Sequence, residues 1–188
     1  MTRMELFGTV NETLDKRLFA FAREGALFWA LAGFAFTIPL ALDGPQLLVG
    51  TVVNAFLVVC ALGLGARQSY ALALLPSLGA LSRGVLFGPF TPALAFMLPF
   101  IWLGNLLLIY LVKALFVERK LNYAVSLGGA ALAKAGLLFA SAFLLLQFSF
   151  VPVLFLTAMG VVQLATALLG GAAAYAALKA ARFAGCLK

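Results

Sequence analysis

Lys134 stands near the middle of an apolar run covering residues 123–147. At the centre of a membrane helix a charged side chain costs about 2.5–3.5 kcal/mol on insertion scales unless it meets a cavity or a partner. Three amides, Asn54, Asn105 and Gln163, occupy interior positions in three other apolar runs, and Arg83 stands towards one end of a further run. An ammonium and a guanidinium suit an anionic group, the guanidinium through a bidentate fork. The amides offer donors and acceptors to ring heteroatoms or to other amides. Trp102, with Phe87, Phe100 and Tyr110, supplies flat apolar walls of the kind that line small-molecule sites. The bland alternatives are equally concrete. Amides in membrane helices often act as interhelical glue, worth about 0.6 kcal/mol, and Arg83 can reach the lipid headgroups. Lys134 is the hardest to explain away, because no acid lies in any apolar run to pair with it.

What is missing narrows the chemistry. The chain has no histidine, which removes histidine-held haem, zinc or iron and any histidine general base. Cys60 and Cys186 have no metal-ligand spacing and read as structural thiols. The acids are Glu5, Glu12, Asp15, Glu24, Asp43 and Glu118, all outside the apolar runs. A carboxylate proton relay or sodium site at mid-membrane is therefore not expected. No G-x-x-x-x-G-K-[ST] loop occurs, so the chain has no P-loop of its own for ATP. An intramembrane enzyme would need a general base, for which Lys134 alone could serve. The expectation is a protein without cofactor, metal or catalytic residues.

The elements that would carry these residues follow from composition. Of 188 residues, 65% are hydrophobic and 10% charged, and the mean hydropathy is +1.13. Soluble domains are about half apolar and a quarter charged, so a membrane domain is the class left. Six apolar spans are expected, at about 25–42, 47–65, 69–87, 93–116, 123–147 and 152–178. Asp43-Gly44-Pro45 and Gly88-Pro89 mark turns. The third span holds Pro76, Gly79 and Gly84 and reads as kinked or short. Before the spans, residues 1–24 place Leu6, Phe7, Val10, Leu14, Leu18 and Phe21 at three- and four-residue steps. That pattern predicts an amphipathic interfacial helix. The expected architecture is an all-α six-transmembrane-helix bundle over 25–178, preceded by that segment and followed by a basic tail, 179–188.

Charge then predicts orientation. The net charge is +7, from 13 Lys and Arg against 6 acids. With six spans, 11 of the 13 basic residues fall on the side that holds both termini. The positive-inside rule places that side in the cytoplasm of a cell membrane. The connections 43–46, 88–92 and 148–151 then face out and are too short for an extracellular domain. Because the positive charge follows loop topology, nucleic acid is not an expected partner. Membrane lipid is. Lys134 and Arg83 are the two cations the orientation rule leaves over, and with the amides they fall between the midplane and the outer surface. Small residues form a second pattern. Ala26 and Ala30 are one turn apart in the first span, and Gly170, Gly171, Ala173, Ala174 and Ala177 crowd the last. Such faces let helices approach closely.

Several stretches resemble a known family. They are Val53-Asn54-Ala55, then Leu75-Pro76-Ser77-Leu78, Gly88-Pro89-Phe90 and Leu98-Pro99-Phe100-Ile101-Trp102-Leu103-Gly104-Asn105. The last runs from Ala158-Met159-Gly160 through Gln163 to Ala167. Together with six spans and cytoplasmic termini, they are similar to the substrate-binding S-components of energy-coupling factor (ECF) transporters, over residues 25–178. The resemblance implies capture of a vitamin-like or trace nutrient in the outer half of the bundle. It also implies docking through an alanine-x-x-x-alanine face, here Ala26 and Ala30, onto a membrane T-component served by two cytoplasmic ATPases. The N-terminal amphipathic segment departs from the family pattern. The resulting expectation is a transport subunit whose solute meets Arg83, Lys134, Asn54, Asn105, Gln163 and Trp102. Its rival is an assembly subunit of a larger membrane complex with no ligand of its own.

Overall fold

The computed structural model describes residues 25–26, 28–42, 45–83 and 91–183. The expected amphipathic helix over 1–24, the Asp43-Gly44 and Gly88-Pro89 turns and the end of the basic tail lie outside them. The chain divides into two units between Phe34 and Ala35, and the packing below is that of the second unit.

The described residues form helices and no strands. Helix α1 is Phe28–Ala41. It is followed by α2 (Gln46–Gly63), α3 (Ala66–Leu72), α4 (Leu75–Arg83) and α5 (Thr91–Val112), which a π-helical stretch, Lys113–Glu118, prolongs. Then come α6 (Tyr123–Gln147), α7 (Leu154–Met159) and α8 (Val161–Phe183). Four stretches are each long and apolar enough to cross a membrane: Gln46–Gly63, Pro92–Glu118, Tyr123–Gln147 and Leu154–Ala181. Leu132, Phe143, Leu144, Val161 and Leu169 point outward and are exposed, while Asn54, Asn105 and Lys134 are buried. Apolar outside and polar within is the arrangement hydrocarbon demands, because only the interior can satisfy polar groups. This is an all-α membrane protein.

The first expected span is helical at residues 25–26 and 28–41, with residue 27 outside the described residues. The third, expected to be kinked or short, is two helices. Pro76 has no N–H for the Leu72 carbonyl and disfavours helix at the residue before it, so α3 stops at Leu72 and the chain turns at Ala73-Leu74. The proline then sits in the first turn of α4, where a missing N–H costs nothing. The sixth span bends at Gly160, between α7 and α8. A methyl group there would lie 2.8 Å from the Leu156 carbonyl oxygen and 2.9 Å from the Phe139 ring. α8 continues through Lys179 to Phe183, so the basic tail begins as helix. Pro99 does not break α5.

Glycines set the closest approaches. Gly50 of α2 faces Thr166 of α8, and Gly170 of α8 faces Thr51 and Ala55 of α2. α2 and α8 therefore run in the same direction. Gly171 of α8 meets Leu127, and Gly160 meets Phe139, so α6 runs opposite to α8. α3 and α4 together return along α5, with Asn105 bonded to Ala73 and Trp102 to Ser77. One end of the bundle holds an apolar cluster that includes Leu94, Met97, Leu138, Phe155 and Met159. The other end holds stacked Tyr123 and Tyr175, with ring centroids 4.3 Å apart. The Tyr123 hydroxyl donates to the Gly171 carbonyl at 2.6 Å.

Candidate functional site

Between these two ends lies a polar layer centred on Lys134. Its side chain is 2% exposed. The stem leaves α6 past Gly104 of α5, where the lack of a side chain leaves room for the lysine methylenes. Nζ donates to Asn54 Oδ1 at 2.6 Å and to Asn105 Oδ1 at 2.8 Å. Both amides are oriented by bonds of their own. Asn54 Nδ2 donates to the Gly50 carbonyl at 2.9 Å and to Thr166 Oγ1 at 3.1 Å. Asn105 Nδ2 donates to the Ala73 carbonyl at 2.9 Å, in the turn between α3 and α4. Thr166 Oγ1 in turn donates to the Gln163 carbonyl at 3.1 Å. One lysine thus ties together α2, the α3–α4 break, α5, α6 and α8.

The energetics of this layer balance. Hydrogen bonds to a charged group contribute about 1.5–3 kcal/mol each. Two of them offset the insertion cost of a central lysine, about 2.5–3.5 kcal/mol. An acid is not required: among the described residues the acid is Glu118, at the far end of α5's π-helical stretch. Every buried side-chain nitrogen and oxygen among the described residues has a partner.

Above Lys134 the bundle is hollow. A cavity of about 80 Å³ has several times the ~10–15 Å³ that one water needs. Lys134, Asn54 and Asn105 line one part of it, and Gln46, Leu94 and Met159 another. These last three belong to the starts of α2 and α5 and the end of α7, so the cavity runs from mid-bundle towards the end where those helices begin. Lys134 is the charged residue among its lining. Gln163 joins the wall, half-buried, and its side-chain amide makes no hydrogen bond to a described residue.

The sequence-predicted residues separate accordingly. Lys134, Asn54, Asn105 and Gln163 are brought to one cavity. Trp102 is not on its wall: Nε1 donates to Ser77 Oγ at 2.7 Å and braces α4 against α5. Tyr110 is exposed, and Phe100 packs on the apolar cluster instead. Phe87 and the Arg83 side chain lie outside the described residues, though Arg83 closes α4. Ala26 and Ala30 belong to the first unit, one helical turn apart. Sequence reasoning missed Thr166, Ser77, Pro39 and Gln46. Thr166 had a signal: Gln163, Thr166 and Gly170 recur at three- and four-residue steps on one face of α8. No such spacing marks the other three.

At the opposite end two further polar anchors close the helix ends. Lys113 Nζ donates to the Leu64 carbonyl at 2.5 Å, just past the C-terminus of α2, where a cation is favoured by the helix dipole. Ser69 Oγ donates to the Cys60 carbonyl at 2.8 Å and joins α3 to α2. The Cys60 thiol is free and buried.

Compared with known protein families, with curated proteins and with solved structures, the chain finds no match.

Proposed function

We propose that this chain is a membrane-embedded substrate-binding subunit that captures a small vitamin-like or trace-nutrient solute from outside for ATP-driven uptake, in the manner of an ECF S-component. The observation that carries this reading is the convergence of Lys134, Asn54, Asn105 and Gln163 on one cavity that runs from mid-bundle towards one end. The bias of basic residues makes that end the outer one, with both termini in the cytoplasm of a cell membrane. The solute would sit on the Lys134 layer, with its apolar parts against Val49, Val53, Leu94 and Met159. Binding and exposure of the solute would involve no covalent chemistry. Lacking a P-loop, the chain would draw on ATPases through a membrane T-component, docked on Ala26 and Ala30.

A test is mass spectrometry of small molecules that co-purify with the protein, followed by thermal unfolding with the molecule found. At one hundred times its Kd a ligand stabilises by about 2.7 kcal/mol. Lys134→Met should abolish that shift. Unchanged affinity in this variant would remove Lys134 from the site.

One observation favours the second reading, an assembly subunit. The polar layer is held by bonds among its own members, since every buried polar side-chain atom among the described residues has at least one partner. An assembly subunit would be stabilised by protein partners alone and would carry no small molecule.

A further inference from the structure

We propose that the cavity selects a compact monocarboxylate: one anionic head on an apolar body. This rests on the solute-binding reading above and names the chemical class of its solute. The inference starts from which way each polar group is turned. Asn54 and Asn105 both present their carbonyl oxygens to Lys134. Asn54 has spent both amide protons on Gly50 and Thr166, and Asn105 gives one to Ala73. The amides beside the lysine therefore act as acceptors towards it, and they cannot neutralise it. An ammonium has three N–H donors. Two go to the amides, and the third is left for the cavity that Lys134 lines.

The described wall then holds one basic group, Lys134, and no acid. In a site of low dielectric a lone ammonium is disfavoured and an anion beside it restores it, so the lysine and a ligand of negative charge stabilise each other. The unbonded amide of Gln163 supplies further N–H donors on the same wall, as the second oxygen of a carboxylate requires. Beyond these groups the lining includes Val49, Val53, Leu94, Ile101 and Met159, with two further polar side chains already engaged: Ser77 donates to the Leu74 carbonyl and accepts from Trp102, and Gln46 donates to the Ala158 carbonyl. Such walls receive an apolar body and offer little to a polyol or to a second charge. A cationic solute would meet Lys134 directly, and a dicarboxylate would bury one charge without a partner.

The test uses the full chain purified in detergent, titrated with hexanoate, hexanamide, hexylamine and adipate by calorimetry and thermal unfolding. Hexanoate should bind at least tenfold more tightly than the other three. Lys134→Arg should keep that preference, and Lys134→Met should erase it. If Lys134→Met does not fold, Gln163→Glu replaces it. A carboxylate built into the wall should weaken hexanoate at least tenfold and raise the melting temperature. Hexanoate binding that is indifferent to Gln163→Glu, or no tighter than that of the amide or amine, overturns the proposal. Stabilisation by hexanamide or hexylamine but not by hexanoate refutes the monocarboxylate and leaves solute binding standing. If none of the four probes binds, the co-purified molecule decides: a monoanion supports the proposal, and a neutral or cationic one overturns it. The absence of any bound or co-purified molecule ends both readings.

Discussion

Lys134 is held at mid-bundle by two side-chain carbonyl oxygens, and the amides that carry them are anchored in turn, Asn54 to Thr166 of α8 and Asn105 to Ala73 in the α3–α4 turn. The arrangement makes the partners as important as the charge. In Asn105→Ala the lysine keeps one acceptor, and the Ala73 carbonyl in the α3–α4 turn loses its donor. A buried polar group left unpaired costs about 1–3 kcal/mol, so thermal unfolding should show a loss of that size. A double-mutant cycle with Lys134→Met should give a coupling of about 0.5–3 kcal/mol, as for residues sharing one network. Purely additive losses would show that the two side chains do not depend on each other. Trp102→Phe removes the bond to Ser77 and should lower stability by about 1 kcal/mol. That indole shows the limit of a one-dimensional reading. An aromatic beside an amide in an apolar run looks like a binding wall, but its N–H must find a partner when half-buried, and the nearest hydroxyl is on α4. The lysine and the two asparagines were legible because their desolvation cost is large. Thr166 carried only the weaker signal of its spacing from Gln163 and Gly170, because a hydroxyl can bond its own helix and needs no special surroundings.

At the scale of elements, the closeness of α2 and α8 rests on absent side chains. A methyl group at Gly170 would fall 2.5 Å from the Thr51 carbonyl oxygen and 2.6 Å from the Ala55 nitrogen. Backbone cannot move aside as a rotamer can. Gly170→Leu should therefore separate the two helices and cost about 1–3 kcal/mol or more, while also pulling Thr166 away from Asn54. Gly136→Ala is the control, since nothing lies within 4 Å of a methyl group there; without a clash, and with the better helix propensity of alanine, it should leave stability unchanged or raise it by up to about 1 kcal/mol. Equal effects in the two variants would mean that the small-residue face of α8 is not an interface. The stripe of glycine and alanine was visible in the sequence, but which of its members touch which helix was not. The breaks at Pro76 and Gly160 divide in the same way. Proline announces itself through its missing N–H, whereas Gly160 is informative only once Phe139 is seen beside it.

At the scale of the molecule, helix directions and charge have to agree. α2, α5 and α8 begin at the end towards which the cavity runs. Lys113, Lys120 and Lys179 lie towards the other end of these helices. The orientation proposed from the basic residues then makes a direct prediction. With Cys60 and Cys186 replaced by serine, a cysteine introduced at Phe148 should react with an impermeant thiol reagent added to intact cells. One introduced at Lys120 should react after the membrane is opened. The reverse pattern would turn the protein over and place the cavity towards the cytoplasm.

Membrane character, the apolar runs and the lysine that does not belong in one of them were determined by the sequence alone. Each follows from the transfer free energy of a residue and its neighbours along the chain, a local quantity. Tertiary structure decided that Asn54, Asn105 and Lys134, up to 80 residues apart, share one hydrogen-bonded layer. It decided that Trp102 does not face the hollow, and that the hollow lies on the side where α2 and α5 begin. Those outcomes depend on how closely helices approach and which faces meet. That is settled by Gly50, Gly104 and Gly170 against their partners across the bundle, and no window of sequence contains both sides of such a contact.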